Sequence, residues 1–417
     1  MKSIIRFILN RPLKSCKKAL GLNSGFTLLE LLVALVIASI IVSSLLGFMV
    51  DILNNDRREQ AKSTSEQEIQ AALDYIARDL EQAVYIYDAQ GLAAITGNYS
   101  TATCTNSPVT GATALPTNCS QLPASPDRVP VLVFWKRHFL PRDANITVGG
   151  TNTTVGCLMN IQPGLCNNQD YQLYSLVAYY LIRDPNPNDG QTWSPTTRIG
   201  RFEIRDGIRN ASTNPSVQGR DGNRTEIDVV SGNNTQVRYD LLPSPGFMPF
   251  NLAVVGNSVR EKLNRWQKHQ EAFNLNTNPV SVLIDYVDQT PIDPANPSNS
   301  PPLAEDCRTS IRQVNTTSNP TAYVPQQVPT FNPERTRTPA LNPAIQPIPL
   351  DFQTGSFYAC VDSERTIAQV YIRGNSLARI TNRGQVRNQA RFNPNQVGYF
   401  PSNRIQVQGR GLVNIQR

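Results

Sequence analysis

Glu30 is the only acidic residue in the first 50, and it sits at the edge of an apolar run, 31–50, that carries no charge. A charge in a membrane-length segment is costly, so it needs a counter-charge or a purpose. Gly25 and Phe26 stand just before the run. Cleavage beside that glycine would remove a basic leader and keep the apolar segment. The other reactive side chains are the cysteines: Cys16, Cys104, Cys119, Cys157, Cys166, Cys307 and Cys360. An odd count is awkward for a disulfide protein, but loss of the leader takes Cys16 and leaves six. The most local pairing is Cys104–Cys119, Cys157–Cys166 and Cys307–Cys360, one of fifteen connectivities open to six cysteines.

Other constellations are weaker. No CxxC spacing occurs, and with only His138 and His269 available the residues offer no metal site. Asp184, Asn186 and Asn188 echo a calcium loop, yet Gly190 falls one place late and Pro195 stands where the bidentate glutamate belongs. That stretch reads as a solvated turn. Trp135, Tyr174, Tyr179 and Tyr180 could stack on sugars, but aromatics in strand-like runs read as core. Asp285 and Asp288 are acids of the kind strand ends normally carry. No P-loop, GxSxG or HExxH motif is present, so the residues point to no catalytic site and no cofactor.

The elements that position these residues follow from charge and periodicity. Lys2, Arg6, Arg11, Lys14, Lys17 and Lys18 lie in the first 25 residues, which leaves about +1 of the total +7 for the rest. A near-neutral remainder lacks the electrostatic footprint of a nucleic-acid binder. The 20-residue run spans roughly 30 Å as a helix, the thickness of a bilayer core. Its basic flank is N-terminal, so the positive-inside rule puts the N-terminus in the cytosol and the long remainder outside. Low charge content (17%) and many Pro, Asn, Thr and Ser residues agree with an extracytoplasmic body.

The helical pattern continues past the run. Ile69, Ala72, Leu73, Ile76, Leu80, Ala83 and Val84 recur at three- and four-residue spacings and form one apolar face. No proline interrupts 13–107. One helix of about 60 residues, from 26 to near 84, is expected, with Gly47 as its soft point. Strands are expected at 129–140, 173–184, 199–208, 280–287 and 367–374, which are rich in Val, Ile, Tyr and Phe. A shorter helix is expected at 257–273. The segment 291–349 holds 13 of the 31 prolines and should be irregular, tied down by Cys307. Residues 382–400 read as loop.

The stretch "GFTLLE" (Gly25 to Glu30), with its basic leader and apolar continuation, resembles the type IV prepilin signature. The resemblance implies an α+β, pilin-like fold, with a long N-terminal helix packed on an antiparallel β-sheet and long irregular insertions. It implies a leader at 1–25, a membrane half at 26–50, an amphipathic half at 51–88, and a β-rich domain at 89–417 with a Pro-rich insertion near 289–350. It also implies cleavage by a prepilin peptidase between Gly25 and Phe26, and N-methylation of Phe26. Glu30 would then lie about one turn from the new amine and pair with that of a neighbouring subunit during assembly. Such a pair specifies register more than it adds stability.

Implied partners are the peptidase, other pilins or pseudopilins through the N-terminal helix, an inner-membrane assembly platform, and lipid before assembly; nucleic acid is not among them. The length points to minor pilins and pseudopilins of the J and W types. The wording of "FTLLELLVALVIASIIVSSLLGFM" most resembles cyanobacterial hormogonium polysaccharide secretion pseudopilins, which implies a part in slime export and gliding. A tip-displayed adhesin and a membrane-anchored enzyme acting on polysaccharide are the competing readings.

Overall fold

Helix α1 (Leu28–Glu81) is uninterrupted for 54 residues. Gly47 lies inside it, in open space, and does not break it. Residues 28–60 are all exposed. From Ala61 onward one face is buried: Ala61, Ser65, Ile69, Ala72, Leu73, Ile76, Ala77 and Leu80. The three- and four-residue spacing puts these side chains on a single stripe, which can be covered by one packed surface. This computed structural model describes residues 27–104, 119–148, 151–158, 170–184, 192–207, 226–230, 236–240, 243–269, 271–293, 295–311, 323–331 and 346–410. The chain divides into two units, Met1–Arg57 and Arg58–Arg417.

The second unit contains β1 (Ala83–Ile86), a capped helix α2 (Ala89–Thr96), β2 (Arg128–Leu140), β3 (Asn145–Val148), β4 (Thr151–Thr154), β5 (Tyr171–Arg183), β6 (Thr197–Arg205), β7 (Glu226–Val230), β8 (Gln236–Asp240), β9 (Ser281–Val287), β10 (Gln326–Val328), β11 (Phe357–Asp362), β12 (Ile367–Arg373) and β13 (Ser402–Gln408). These form a five-stranded sheet, β1-β2-β5-β6-β9, and two four-stranded sheets, β10-β11-β12-β13 and β4-β3-β7-β8. All the pairings are antiparallel. The expected single sheet is therefore three. One hydrophobic cluster joins the buried stripe of α1 to the first two sheets. Their strands also meet end to end: the Asp288 N–H donates to the Arg373 carbonyl at 3.0 Å, and the Asn375 N–H to the Tyr286 carbonyl at 2.7 Å.

Two local expectations fail and one strand, β13, goes unforeseen, each for a physical reason. Ala83 and Val84 fit the helical spacing but lie in β1, because the run Val84-Tyr85-Ile86-Tyr87 is β-branched and aromatic and pairs with β2. At 257–273 only Val259–Leu263 is helical, capped by Ser258. Beyond it the Trp266 indole N–H donates to the Met248 carbonyl, and the Lys268 backbone N–H to Gln121 Oε1 at 3.0 Å. Those tertiary bonds replace the helical ladder. β13 was missed because its alternation, Ile405 and Val407 among polar residues, is short. Its outer edge is flanked by α1: Asn403 Nδ2 donates to Gln70 Oε1 at 2.7 Å, and the Arg410 N–H to the Glu81 carbonyl at 2.9 Å. A helix beside an edge strand blocks unwanted strand addition.

Disulfides join Cys104 to Cys119 and Cys307 to Cys360. Cys157 is also disulfide-bonded, while Cys166 lies outside the described residues. In the chain-entropy model the 15-residue closure is worth about 3 kcal/mol. Alkylation of the folded protein without reductant is expected to leave Cys104, Cys119, Cys157, Cys307 and Cys360 unlabelled. Rapid labelling of any of them would contradict the bridges.

Candidate functional site

The N-terminal signal meets the described structure at Thr27. Gly25 and Phe26 lie outside the described residues. The Thr27 hydroxyl accepts the Glu30 N–H at 3.2 Å, and its carbonyl accepts the Leu31 N–H at 3.1 Å. A threonine three residues ahead of a glutamate is the pattern of a helix start, in which the hydroxyl satisfies one orphan donor of the first turn. Glu30 thus sits in the first turn of α1, where a carboxylate also suits the helix dipole. Beyond it Leu31, Leu32, Leu35, Ile40, Leu45 and Phe48 are all exposed. The helix contains a window of mean hydropathy 2.7, long and apolar enough to cross a membrane.

The other end of α1 is held by a buried charge cluster that the sequence reading missed. Asp79 falls on the apolar stripe between Ile76 and Leu80 and is only 6% exposed. Its Oδ1 accepts from the Lys136 ammonium at 2.7 Å; its Oδ2 accepts from Arg201 Nε at 2.6 Å and from the Tyr179 hydroxyl at 2.7 Å. Lys136, Tyr179 and Arg201 come from β2, β5 and β6. Arg201 also bonds Glu203, which Arg205 shares. One signal was available: Asp79 interrupts an apolar stripe, and Lys136 interrupts the apolar run of β2. Two opposite charges at otherwise buried positions must meet or unfold the chain.

Burial alone would raise the Asp79 carboxyl, but Arg201 and Lys136 outweigh it and hold it below the usual carboxylate range. Glu203 is likewise driven up by burial and pulled well below its ordinary value by His138, Arg205 and Arg201. Burial lowers His138, although Glu203 opposes the shift. His138 Nε2 lies 2.9 Å from Ser175 Oγ and 3.0 Å from Glu203 Oε1. A carboxylate only accepts, so the neutral ring carries its proton on Nε2. Serine and glutamate share one ring nitrogen, so this is not the relay in which a base takes a serine proton through one nitrogen while an acid holds the other.

All three folded-state values lie below their unfolded ones, so the unfolded chain binds more protons on acidification. Stability is expected to be flat near pH 7–8, to fall as pH drops below 6.5, the ordinary histidine value, and to fall faster through 4.5 and 3.8. Thermal melts between neutral and acid pH check this; an unchanged midpoint at acid pH would contradict it.

The remaining sequence candidates fall elsewhere. Asp184 is clasped by Arg198 in two hydrogen bonds of 2.6 Å, so its carboxylate is already satisfied. Asn186, Asn188 and Gly190 lie outside the described residues. Trp135, Tyr179 and Tyr180 are fully buried and Tyr174 packs against the same core, so they form no open stacking platform. Asp285 accepts from Ser194, and Asp288 from Arg373 and Thr290. No group of three or more His, Cys, Asp or Glu residues able to hold a metal occurs among the described residues.

Residues 22–46 match the prokaryotic N-terminal methylation motif. Comparison with curated proteins and with solved structures returns no match. The motif and the long apolar helix fit a single-pass, membrane-anchored chain. A prepilin-type motif implies processing by a prepilin peptidase and assembly with other pilins, and it points to a structural subunit, similar to type IV pilins and pseudopilins, more than to an enzyme.

Proposed function

We propose that this chain is a minor pseudopilin, a structural subunit of a type IV pilus-like or type II secretion-like filament. Its leader faces the cytosol and its β-rich body lies outside. The peptidase cuts after Gly25, Phe26 is methylated, and the subunit leaves the bilayer through α1 on an assembly platform. Glu30 neutralises the amine of a neighbouring subunit. One observation carries this reading: the methylation motif opens directly into a helix whose first half is apolar with its side chains exposed, while its second half is the buried spine of the body. A plain membrane tether needs no motif; a soluble domain needs no such apolar half.

The finer proposal is that the filament serves polysaccharide secretion and gliding. It is supported by the similarity of the N-terminal wording to pseudopilins of hormogonium polysaccharide secretion. Tip display as an adhesin is an alternative position for the same subunit.

Glu30→Leu tests the assembly role. Leucine suits the bilayer better than a carboxylate. The variant is therefore expected to insert and be cleaved normally, yet to be lost from the sheared filament fraction and to lower secretion or motility. Glu30→Asp keeps the charge with one methylene less reach and should be intermediate. Normal incorporation of Glu30→Leu would make the carboxylate incidental.

A further inference from the structure

The near-neutral body hides a strong polarity. Residues 365–417 contain nine arginines and no aspartate, glutamate or lysine. The whole chain is +7 and the leader contributes +6, so residues 26–364 stand at −8. Three of the nine arginines pair with acids, Arg373 with Asp288 at 3.0 Å, Arg404 with Glu305 at 2.6 Å, and Arg379 with Glu68, and Arg387 donates to the Asp184 and Pro195 carbonyls. Arg383 and Arg391 are exposed and pair with no acid among the described residues; Arg383 donates to the Trp193 carbonyl at 2.7 Å.

Both belong to the segment 379–399, which is fastened to α1 at each end. Arg379 Nε donates to Ser65 Oγ at 3.0 Å, and the Lys62 ammonium lies 4.8 Å from the Tyr399 ring centre. Ser65 follows Leu53, the last of the exposed large apolar residues of α1's first half, by a stretch of helix about 18 Å long. The same segment exposes Val397 (59%) and Ile380 (38%). Guanidinium groups without acids seek phosphate, and apolar tips among them suit the headgroup boundary of a bilayer.

We propose that the segment 379–399 docks on anionic lipid headgroups of the membrane that holds α1, with Arg383 and Arg391 on lipid phosphates and Val397 at the acyl boundary. This rests on reading the first half of α1 as a membrane anchor. Docking would hold the body down until extraction into a filament releases it.

The full chain is reconstituted in nanodiscs of phosphatidylcholine, with or without phosphatidylglycerol, and compared by amide hydrogen exchange. Exchange across 379–399 is expected to slow about tenfold in the anionic discs, and to recover at high salt. Arg383→Gln with Arg391→Gln is expected to lose most of that protection. Both side chains are exposed, so the double variant should melt like the parent. Equal exchange in the two discs would overturn the proposal. So would protection by a DNA duplex but not by anionic lipid, which would make the patch a nucleic-acid surface. A chain that fails to co-migrate with any disc would overturn the anchor reading beneath it.

Discussion

Asp79→Ala is expected to destabilise the body by about 3–5 kcal/mol, the cost of removing one partner from a buried ion cluster. The carboxylate is the common acceptor of Lys136, Arg201 and Tyr179. Its loss leaves the Lys136 ammonium without its acid and orphans a buried phenol, whereas Arg201 keeps Glu203. Asp79→Asn preserves the shape and one acceptor oxygen and should fall between parent and alanine. Glu66→Ala, on the exposed face of the same helix, should stay within about 0.5 kcal/mol. Denaturant melts of the detergent-solubilised chain compare the three. The consequence reaches function, because Asp79 ties the spine of the body to three strands of its main sheet. A subunit that loosens there would pass less force from α1 to the sheet. An Asp79→Ala midpoint equal to that of Glu66→Ala would mean that the cluster is not a structural anchor.

Gly25→Leu is expected to abolish processing. The scissile backbone must enter a narrow cleft, and glycine alone brings no Cβ there. The uncut chain keeps six basic residues ahead of the apolar run and no free amine beside Glu30. It should stay in the membrane, run as a precursor 25 residues longer, and be absent from filaments. Because the substitution lies outside the body, the melt of the body should be unchanged. A Gly25→Leu chain trimmed to the size of the parent would show that cleavage, if any, occurs elsewhere.

Much of this architecture is legible in the residues. The membrane-length run, its lone carboxylate and the stripe from Ile69 to Leu80 specify α1, because helical periodicity is a local property. β2, β5, β9 and β12 show as Val-, Ile- and Tyr-rich runs for the same reason. What was not legible depends on long-range partners. The helix stops at Glu81 because Tyr85 and Ile86 find Trp135 and Phe134 across a sheet. The 257–273 helix shortens because the Trp266 indole and the Lys268 backbone N–H find partners in Met248 and Gln121, distant in sequence. The division into several sheets depends on how distant strands pair, as β6 does with β9 (Thr197 opposite Val287) and β3 with β7 (Asn145 opposite Val230). The Asp79 cluster joins residues separated by 57 to 122 positions, and no local pattern pairs them. The methylation motif was legible because its signal is compressed into one short stretch of the chain, 22–46.

The central claim is that this chain is a processed, pilin-like subunit. Intact and N-terminal peptide mass spectrometry of the protein purified from its native membrane tests it most directly. A first residue of N-methyl-Phe26, with the apolar half of α1 retained, is the result expected. A chain that still begins at Met1, or one cut after the apolar run near Val50, would contradict it.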